Sequence, residues 1–310
     1  MLLVMLGFFM HIMQEDLCGH VSDQGSGHKR KKPCGLKKKE RYGGDKMKIG
    51  FIGSGNMAGA MIGGMIKKGV VAKEDILAAD NSEAARKTAE EKLGIAVSAD
   101  NQEVVRASDI IFLSVKPQYY EEVILGIRDT VTEKQLIITI APGQTLERVK
   151  GLFAKNMKII RTMPNTPAMV LEGITAVCPN ENVTEEELKI ALSILNAFSA
   201  AEVVPEHLMD VVTSVSGSSP AYVFMFIEAM ADAAVADGMP RKQAYKFAAQ
   251  AVLGSAKMVL ETGMHPGELK DMVCSPAGTT IEAVRVLEEK GMRSAVFEAM
   301  KACTRKSRGL

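Results

Sequence analysis

Short apolar runs alternate with amphipathic stretches through the middle of the chain. Residues 49–52 are apolar or small, and they predict a buried strand that leads into a glycine turn and an apolar helical run from Met57. Further strands are predicted at residues 75–79, 95–97, 109–115, 136–140, 157–161, 174–177 and 201–204. The continuous run at 109–115 is typical of a strand buried on both faces. Because helical patterns fall between the strands, we expect a parallel sheet with helices on both faces.

The pattern changes near Glu206, where alanine, methionine and glycine at helical spacing replace the aromatic and β-branched residues. Residues 218–237 are apolar almost all round, and residues 241–262 predict a second long helix. Glu228 and Asp232 interrupt the first of these two helices. They favour burial against a second subunit over insertion into a membrane.

Together these patterns predict an α/β protein with two domains. Residues 47–205 would form an N-terminal Rossmann-type doubly wound parallel sheet, and residues 206–310 an all-α helical dimerisation domain. The length suits this division, since domains average about 150 residues. A bundle with so much apolar surface also predicts a homodimer or a higher homo-oligomer, formed through the helical half.

Residues 1–46 do not share this periodicity. An apolar start, residues 1–13, is too short to span a bilayer, which takes about 20 residues. A polar stretch rich in lysine and glycine follows, and we expect a disordered extension; an atypical targeting segment is the alternative. Met47 directly precedes the first strand, so we hypothesise that it is the working start. An intact Met1 on the native protein, measured by mass, would refute this.

Composition narrows the class of protein. The chain is 47% hydrophobic and 24% charged, with a net charge of only +1, so neither a nucleic-acid surface nor a membrane protein is indicated. The cysteines are scattered and show no C-x-x-C spacing, which indicates neither a metal site nor a disulfide framework and suits the cytoplasm. They are Cys18, Cys34, Cys178, Cys274 and Cys303.

The strand, glycine turn and helix at 48–60 are the first unit of a dinucleotide-binding fold. Gly53 allows a tight turn, Gly55 lets the backbone approach a pyrophosphate, and the N–H groups at the helix start hold the phosphates. Asp80 ends the next strand, where an acid accepts from the adenosine ribose and favours NADH. Asn81 and Ser82 follow it, with Arg86 and Lys87 one turn further, and these residues are alternative partners for the extra phosphate of NADPH. Asp80 as a simple helix cap is another reading.

Two later loops also follow strands and therefore lie at the sheet edge where ligands bind. Lys116, in the turn 114–118, is placed to face a cofactor, or else is an ordinary solvated lysine. Two prolines stiffen the loop 161–167, where Asn165 or the backbone could hold a nicotinamide carboxamide; a structural crossover is the alternative.

A third candidate lies in the helical half. Residues 274–278 form a loop of small residues that leads into Thr279 and Thr280 at the start of a helix. Free backbone N–H groups and two hydroxyls there would suit a carboxylate. A plain helix–helix turn with hydroxyl caps explains the same residues.

Several motifs in combination resemble the pyrroline-5-carboxylate reductase family over residues 47 to about 308. They are IGSGNMAGAM, SVKPQ, MPNTPAMVLEG, VSGSSPAYVF, DGMPR and, most specifically, LKDMVCSPAGTTIEAVRVLE. The resemblance implies hydride transfer from NADPH or NADH to the C=N carbon of a small imino acid, 1-pyrroline-5-carboxylate, which gives proline.

The resemblance also implies roles for individual residues. Cofactor binding is implied for Ile52, Gly53, Ser54, Gly55, Asn56, Met57, Asp80, Asn81, Asn101, Ser114, Val115, Lys116, Pro117 and Asn165. Substrate binding is implied for Glu206, Ser275, Gly278, Thr279 and Thr280, with Thr280 hydrogen-bonding the ring nitrogen in the catalytic step. We expect the cofactor turn and the substrate loop to face each other, within the subunit or across a dimer.

Three departures from the family pattern bear on the substrate loop. Ala277 and Ser219 stand where glycine is common, and Met272 where some members carry a polar residue. Two other functions are compatible with part of this pattern. A β-hydroxyacid dehydrogenase has the same layout but uses a lysine on the first long helix, and residues 216–236 contain none. A non-catalytic NADP sensor would have no reason to keep the SPAGTT loop.

Overall fold

The structure, a computed structural model, describes residues 47–309, so the expectations for residues 1–46 lie outside it. Eight strands form one sheet, in the order β3-β2-β1-β4-β5-β6-β7-β8. They are β1 (Ile49–Ile52), β2 (Ile76–Ala79), β3 (Ala96–Ser98), β4 (Ile110–Leu113), β5 (Leu136–Thr139), β6 (Lys158–Met163), β7 (Gly173–Pro179) and β8 (Ser199–Val203). The chain order reverses between β1 and β4, which makes that position the topological switch point of the sheet.

Helices follow most of the strands and make up the rest of the chain. Those of the sheet domain are α1 (Asn56–Lys67), α2 (Glu83–Leu93), α3 (Asn101–Ala107), α4 (Tyr120–Ile127), α5 (Leu146–Phe153) and α6 (Glu185–Leu195). The remaining ones are α7 (Met209–Val212), α8 (Ser219–Ala236), α9 (Arg241–Thr262), α10 (Pro266–Val273), α11 (Thr279–Glu289) and α12 (Met292–Ser307). Short 3₁₀ turns lie at Lys73–Asp75, Pro117–Tyr119, Thr166–Val170 and Glu206–Leu208.

One strand pair departs from the predicted parallel sheet. β6 and β7 are antiparallel, whereas the other neighbouring strands run parallel. Their connection contains only the 3₁₀ turn Thr166–Val170. A parallel pair needs a crossover of about a dozen residues or more, so this short connection reverses the chain instead. The Rossmann-type fold with a mostly parallel sheet is otherwise confirmed.

The sheet has an apolar layer on each face, as its continuous apolar strands predict. Phe51 and Phe112 stack with ring centroids 4.6 Å apart in one layer. Ile52, Ile111 and Leu113 alternate with them and pack into the other layer. Because successive side chains of a strand point to opposite faces, both faces need helices over them. This rigid core fixes the strand ends that carry the candidate site.

The long helices α8 and α9 form at nearly the predicted residues, but within one chain they are mostly exposed. Ala231 is the buried residue of α8, and Phe224 and Met225 on the same helix are 64% and 68% exposed. On α9, Leu260 is 84% exposed. Exposed apolar surface of this extent is typical of an interaction surface.

A π-helical turn, Thr213–Gly217, joins the sheet domain to α8. The C-terminal helix α12 donates two hydrogen bonds to this region. Thr304 Oγ1 donates to Ser214 Oγ at 2.9 Å, and Ser307 Oγ donates to Asp210 Oδ1 at 2.6 Å. π-helical turns are uncommon and frequently occur at functional sites. Here the turn sets the direction in which the helical half leaves the sheet.

Candidate active site

The turn after β1 has a conformation that only glycine adopts without strain. Gly53 has φ +98°, and a Cβ there would lie 2.8 Å from the backbone C and O of Ser114. Its N–H donates to the Ala79 carbonyl at 2.7 Å, and its carbonyl accepts from Ser114 Oγ at 2.7 Å. The turn is therefore held between the ends of β2 and β4.

Gly55 differs from Gly53, because it faces open space. It is exposed, it is the N-cap of α1, and a Cβ there would meet nothing within 4 Å. No side chain caps the first N–H groups of α1, so they are available to an external acceptor. Such a helix start, without a side chain beside it, suits the close approach of a phosphate.

Asp80 follows β2 directly and holds the glycine turn from the other side. Its Oδ2 accepts from the Ser54 N–H at 2.8 Å and from Ser54 Oγ at 3.2 Å, and its Oδ1 accepts from the Ser82 N–H at 2.9 Å. The cap of α2 is Ser82, whose Oγ accepts from the Ala85 N–H. The reading of Asp80 as the cap of α2 is therefore wrong.

Cavities that bind small molecules and cofactors usually measure about 300–1,000 Å³. One of ≈ 780 Å³ opens at this edge of the sheet. Most of the predicted cofactor residues line it: Gly53, Gly55, Asp80, Asn81, Asn101, Ser114, Val115 and Lys116. The lining does not include Ile52, Ser54, Asn56, Met57, Pro117 or Asn165. The glycine turn, the end of β2 and the turn after β4 thus meet at one place.

Sequence reasoning missed other residues of the lining. Asp100 follows β3 just as Asp80 follows β2, so the rule that ligands bind at strand ends would have found it. The 3₁₀ turn and helix that follow β4 contribute Tyr119, Glu122, Val123, Gly126 and Ile127. Their spacing is that of one helical face, and nothing in the local pattern distinguishes this face from any other.

The side chain of Asn165 is engaged with the protein itself. Its Oδ1 accepts from the Ile174 N–H at 2.9 Å, and its Nδ2 donates to the Ser216 carbonyl at 3.1 Å. The residue is 8% exposed. Asn165 therefore links the loop after β6 to the start of β7 and to the π-helical turn. A contact with a nicotinamide stays a prediction.

Glu206 is likewise paired within the chain. Its Oε1 accepts from Arg161 Nη1 at 2.9 Å and from the Leu146 N–H at 2.7 Å. The Arg161 side chain is 7% exposed and that of Glu206 33%. Burial raises the pKa of the nearby Cys178 thiol, and the Glu206 carboxylate raises it further. The structure shows Glu206 joining β6 and α5 to the helical half; its role toward substrate stays a prediction.

The predicted substrate loop is an exposed turn between α10 and α11. Ala277 has φ +57°, a left-handed conformation that favours glycine, and the Gly278 N–H donates to the Ser275 carbonyl at 3.0 Å. A Cβ at Gly278 would lie 2.3 Å from Ser275 Oγ. No side chain caps α11, which begins at Thr279, so its first N–H groups are available to a carboxylate.

The loop and the cavity are separate in the single chain. None of residues 275–280 lines the cofactor cavity. Of the other departures, Met272 is 45% exposed beside the loop, and Ser219 begins α8. The residues that line this cavity therefore do not bring the turn and the loop together, and the expectation that they face each other stays a prediction.

The sheet is doubly wound and mostly parallel, and a glycine turn and an uncapped helix start lie at its switch point. These features define a dinucleotide-binding protein of the Rossmann class. Comparison with known families narrows this class. Residues 206–310 match the family described as pyrroline-5-carboxylate reductase dimerisation, and residues 48–143 match NADP oxidoreductase coenzyme F420-dependent.

Individual relatives from this family align with the chain over nearly their whole length. The chain is 55% identical over 263 residues to pyrroline-5-carboxylate reductase of Escherichia coli, covering 85% of this chain and 98% of that one. A solved pyrroline-5-carboxylate reductase from Coxiella burnetii has a TM-score of 0.80 at 33% identity, covering 86% and 98% of the two chains. One from Plasmodium falciparum, with NADP bound, has a TM-score of 0.78 at 30% identity, covering 85% and 97%. The chain belongs to the pyrroline-5-carboxylate reductase family, as its motifs predict.

Proposed function

We propose that the protein reduces 1-pyrroline-5-carboxylate to L-proline with hydride from NADPH or NADH, the last step of proline biosynthesis. The observation that carries the proposal is the glycine-turn cavity at the switch point, in a chain that matches 98% of the length of a reductase named for this substrate. The dinucleotide supplies the hydride when bound. The protein supplies orientation, hydrogen bonds and protection from water.

In the cofactor half, the turn from Ile52 to Met57 holds the pyrophosphate at the start of α1. This assignment is supported by the open space at Gly55 and by the uncapped N–H groups of the helix. Asn101 and the turn 114–117 hold the rest of the nucleotide, since most of these residues share the cavity with the glycine turn.

In the helical half, the loop 275–280 binds the substrate carboxylate with the N–H groups at the start of α11. The Thr280 hydroxyl hydrogen-bonds the ring nitrogen and orients the C=N bond. Thr280 is positional and electrostatic, because an alcohol is too weak an acid to supply the proton at neutral pH. The nitrogen therefore carries its proton on arrival or takes it from water.

The site is completed by a second copy of the chain. The substrate loop is not part of the cofactor cavity lining of its own chain, and the apolar surface of α8 and α9 is exposed. The helical stretch Glu206–Ala236 is also apolar and long enough to cross a membrane by length and composition, and 6% of its apolar 18-residue window is buried. We assign this surface to a homodimer, because the stretch carries Glu228 and Asp232 and lies within the residues that match a dimerisation family.

Substitution of Thr280 tests the chemical part of the proposal. Thr280→Ala should lower kcat/KM for the imine by about 10²-fold or less, at or below the lower end of the loss of about 10²–10³-fold known for one oriented oxyanion donor. Thr280→Ser keeps the hydroxyl and should retain most of the activity. NADPH or NADH oxidation driven by pyrroline-5-carboxylate is followed at 340 nm. Wild-type kinetics in Thr280→Ala would exclude the assigned role.

Mixed dimers test the assembly. Gly53→Ala disables the cofactor turn and Thr280→Ala the substrate loop, so each variant alone has low activity. If the site is shared between copies, unfolding and refolding the two variants together restores roughly a quarter of wild-type activity, because half of the dimers are mixed and each contains one intact site. No recovery in mixed dimers, with their formation verified by differently tagged chains, would place both halves of the site in one chain.

A non-catalytic sensor is the second candidate function, and the same assay decides it. Cofactor binding without imine turnover would favour the sensor. We also propose a cytoplasmic location, which is supported by the free state of Cys178, Cys274 and Cys303 among the described residues.

A further inference from the structure

The carboxylate of Asp80 is fixed before any cofactor arrives. Three donors hold it: the Ser54 N–H at 2.8 Å, Ser54 Oγ at 3.2 Å and the Ser82 N–H at 2.9 Å. Two of these donors belong to the glycine turn itself. Moving the carboxylate out of the cavity would break all three bonds and release that turn, so Asp80 cannot readily move aside for a second anion.

One acceptor site of Asp80 remains. A carboxylate accepts about four hydrogen bonds, and Asp80 receives three, two on Oδ2 and one on Oδ1. The free position on Oδ1 suits a hydroxyl donor, such as the ribose hydroxyl of a dinucleotide. It repels a phosphate, which brings charge of the same sign and no proton to donate at neutral pH.

The charged side chains that line the cavity add to this preference. Three are acidic, Asp80, Asp100 and Glu122, and one is basic, Lys116. An anionic group that enters the cavity beside Asp80 therefore meets a predominantly negative lining.

Neither of the two cations that sequence analysis offers as phosphate partners lines the cavity. Arg86 does not line the cavity, and its Nη1 donates to the carbonyls of Asp80 at 2.7 Å and Asn81 at 3.2 Å. The Lys87 ammonium lies 3.8 Å from the Glu91 carboxylate, one turn along the exposed side of α2. Arg86 supports the loop that presents Asp80 through Nη1, so moving this nitrogen toward a phosphate would disturb that loop.

We propose that Asp80, locked by Ser54 and Ser82, makes this protein select NADH over NADPH. This inference deepens the proposed function and rests on it, because it concerns the dinucleotide that serves the same site. Ser54 is a positioning residue in this arrangement, and Asp80 is the residue that discriminates.

Direct binding tests the inference without turnover. The dissociation constants of NADH and NADPH are measured on the full chain by calorimetry, together with ADP-ribose and its 2′-phosphate. We expect the wild-type ratio of NADPH to NADH constants to be about tenfold or more, as repulsion between like charges at close range implies. The ratio should decrease as salt is added.

Asp80→Ser removes the charge and should lower that ratio by about tenfold or more. A general weakening of the turn would affect both dinucleotides equally and leave the ratio unchanged, so the ratio separates discrimination from structural damage. Ser54→Ala, which frees one side of the carboxylate, should lower the ratio by less. Glu83→Gln is the matched control: it removes one acidic charge on the exposed start of α2, outside the cavity lining, and should leave the ratio as in the wild type.

The outcomes distinguish this inference from the proposed function. Wild-type binding of NADPH as tight as that of NADH, or a ratio unchanged in Asp80→Ser, overturns the inference and leaves imine reduction intact. Selective NADH binding without reduction of the imine by either dinucleotide overturns the proposed function, while the selectivity stands. Equal shifts in Asp80→Ser and Glu83→Gln would show that overall charge, and not Asp80, sets the preference.

Discussion

Gly53 and Gly55 are two positions apart, yet an added methyl group should destabilise the fold only at Gly53, while it weakens cofactor binding at both. At Gly53 a Cβ would lie 2.8 Å from the Ser114 backbone, and φ is +98°. A left-handed conformation costs an alanine about 1–2 kcal/mol before any clash. We therefore expect Gly53→Ala to lose about 2 kcal/mol or more of unfolding free energy, together with cofactor binding.

At Gly55 the backbone has φ −68° and ψ −173°, which any residue adopts, and a Cβ would meet nothing within 4 Å. Gly55→Ala should therefore change the unfolding free energy by no more than about 0.5 kcal/mol. The same methyl group would stand where the pyrophosphate approaches. Loss of one hydrogen bond to a charged group costs about 1.5–3 kcal/mol, so the dissociation constant of the dinucleotide should rise about 10- to 100-fold.

Urea unfolding measures stability in these variants, and calorimetric titration with NADH or NADPH measures binding. Gly59→Ala is the matched control, since a Cβ there also meets nothing within 4 Å and the residue lies one turn further into α1. It should stabilise the helix by about 0.5–1 kcal/mol and leave binding unchanged. Wild-type affinity in Gly55→Ala would refute the assignment of this turn to the pyrophosphate.

Three further predictions concern the residues around the site. Burial raises the pKa of Tyr120 above its usual range. The stability that the buried, protonated hydroxyl contributes is therefore complete below the unfolded pKa of about 10 and is lost as the pH rises further. Urea unfolding from pH 8 to 11 should show this decline in the wild type and a smaller one in Tyr120→Phe. Ala277→Gly should relieve about 1 kcal/mol of left-handed backbone strain. Gly278→Ala places a Cβ 2.3 Å from the Ser275 hydroxyl and should raise KM for the imine. An unchanged KM would argue against this loop as the carboxylate site. Glu206→Gln should lower the unfolding free energy, measured in urea, by about 2–3 kcal/mol, because it leaves the charge of the buried Arg161 guanidinium unpaired. An unchanged stability with a raised KM for the imine would instead support a role of Glu206 toward substrate.

Local sequence patterns were sufficient to locate the elements and the first half of the site. Apolar runs and helical spacing located the strands to within a residue or two at most ends, and the predicted bounds of α9, 241–262, are those observed. The glycine turn and Asp80 were also identifiable, because their signals are local: a residue type, a strand end and a spacing. Local conformational preference and side-chain periodicity are properties of a short segment and survive without the rest of the molecule.

Tertiary structure decided the features that depend on distant partners. The antiparallel pairing of β6 with β7 follows from a short connection whose conformation the sequence did not reveal. The bonds from Ser54 to Asp80 and from Arg161 to Glu206 join residues 26 and 45 positions apart, and they changed the interpretation of both acids. No local pattern encodes such contacts, because the packing of the whole sheet brings these side chains together. For the same reason, the separation of the substrate loop from the cofactor cavity became visible only in three dimensions.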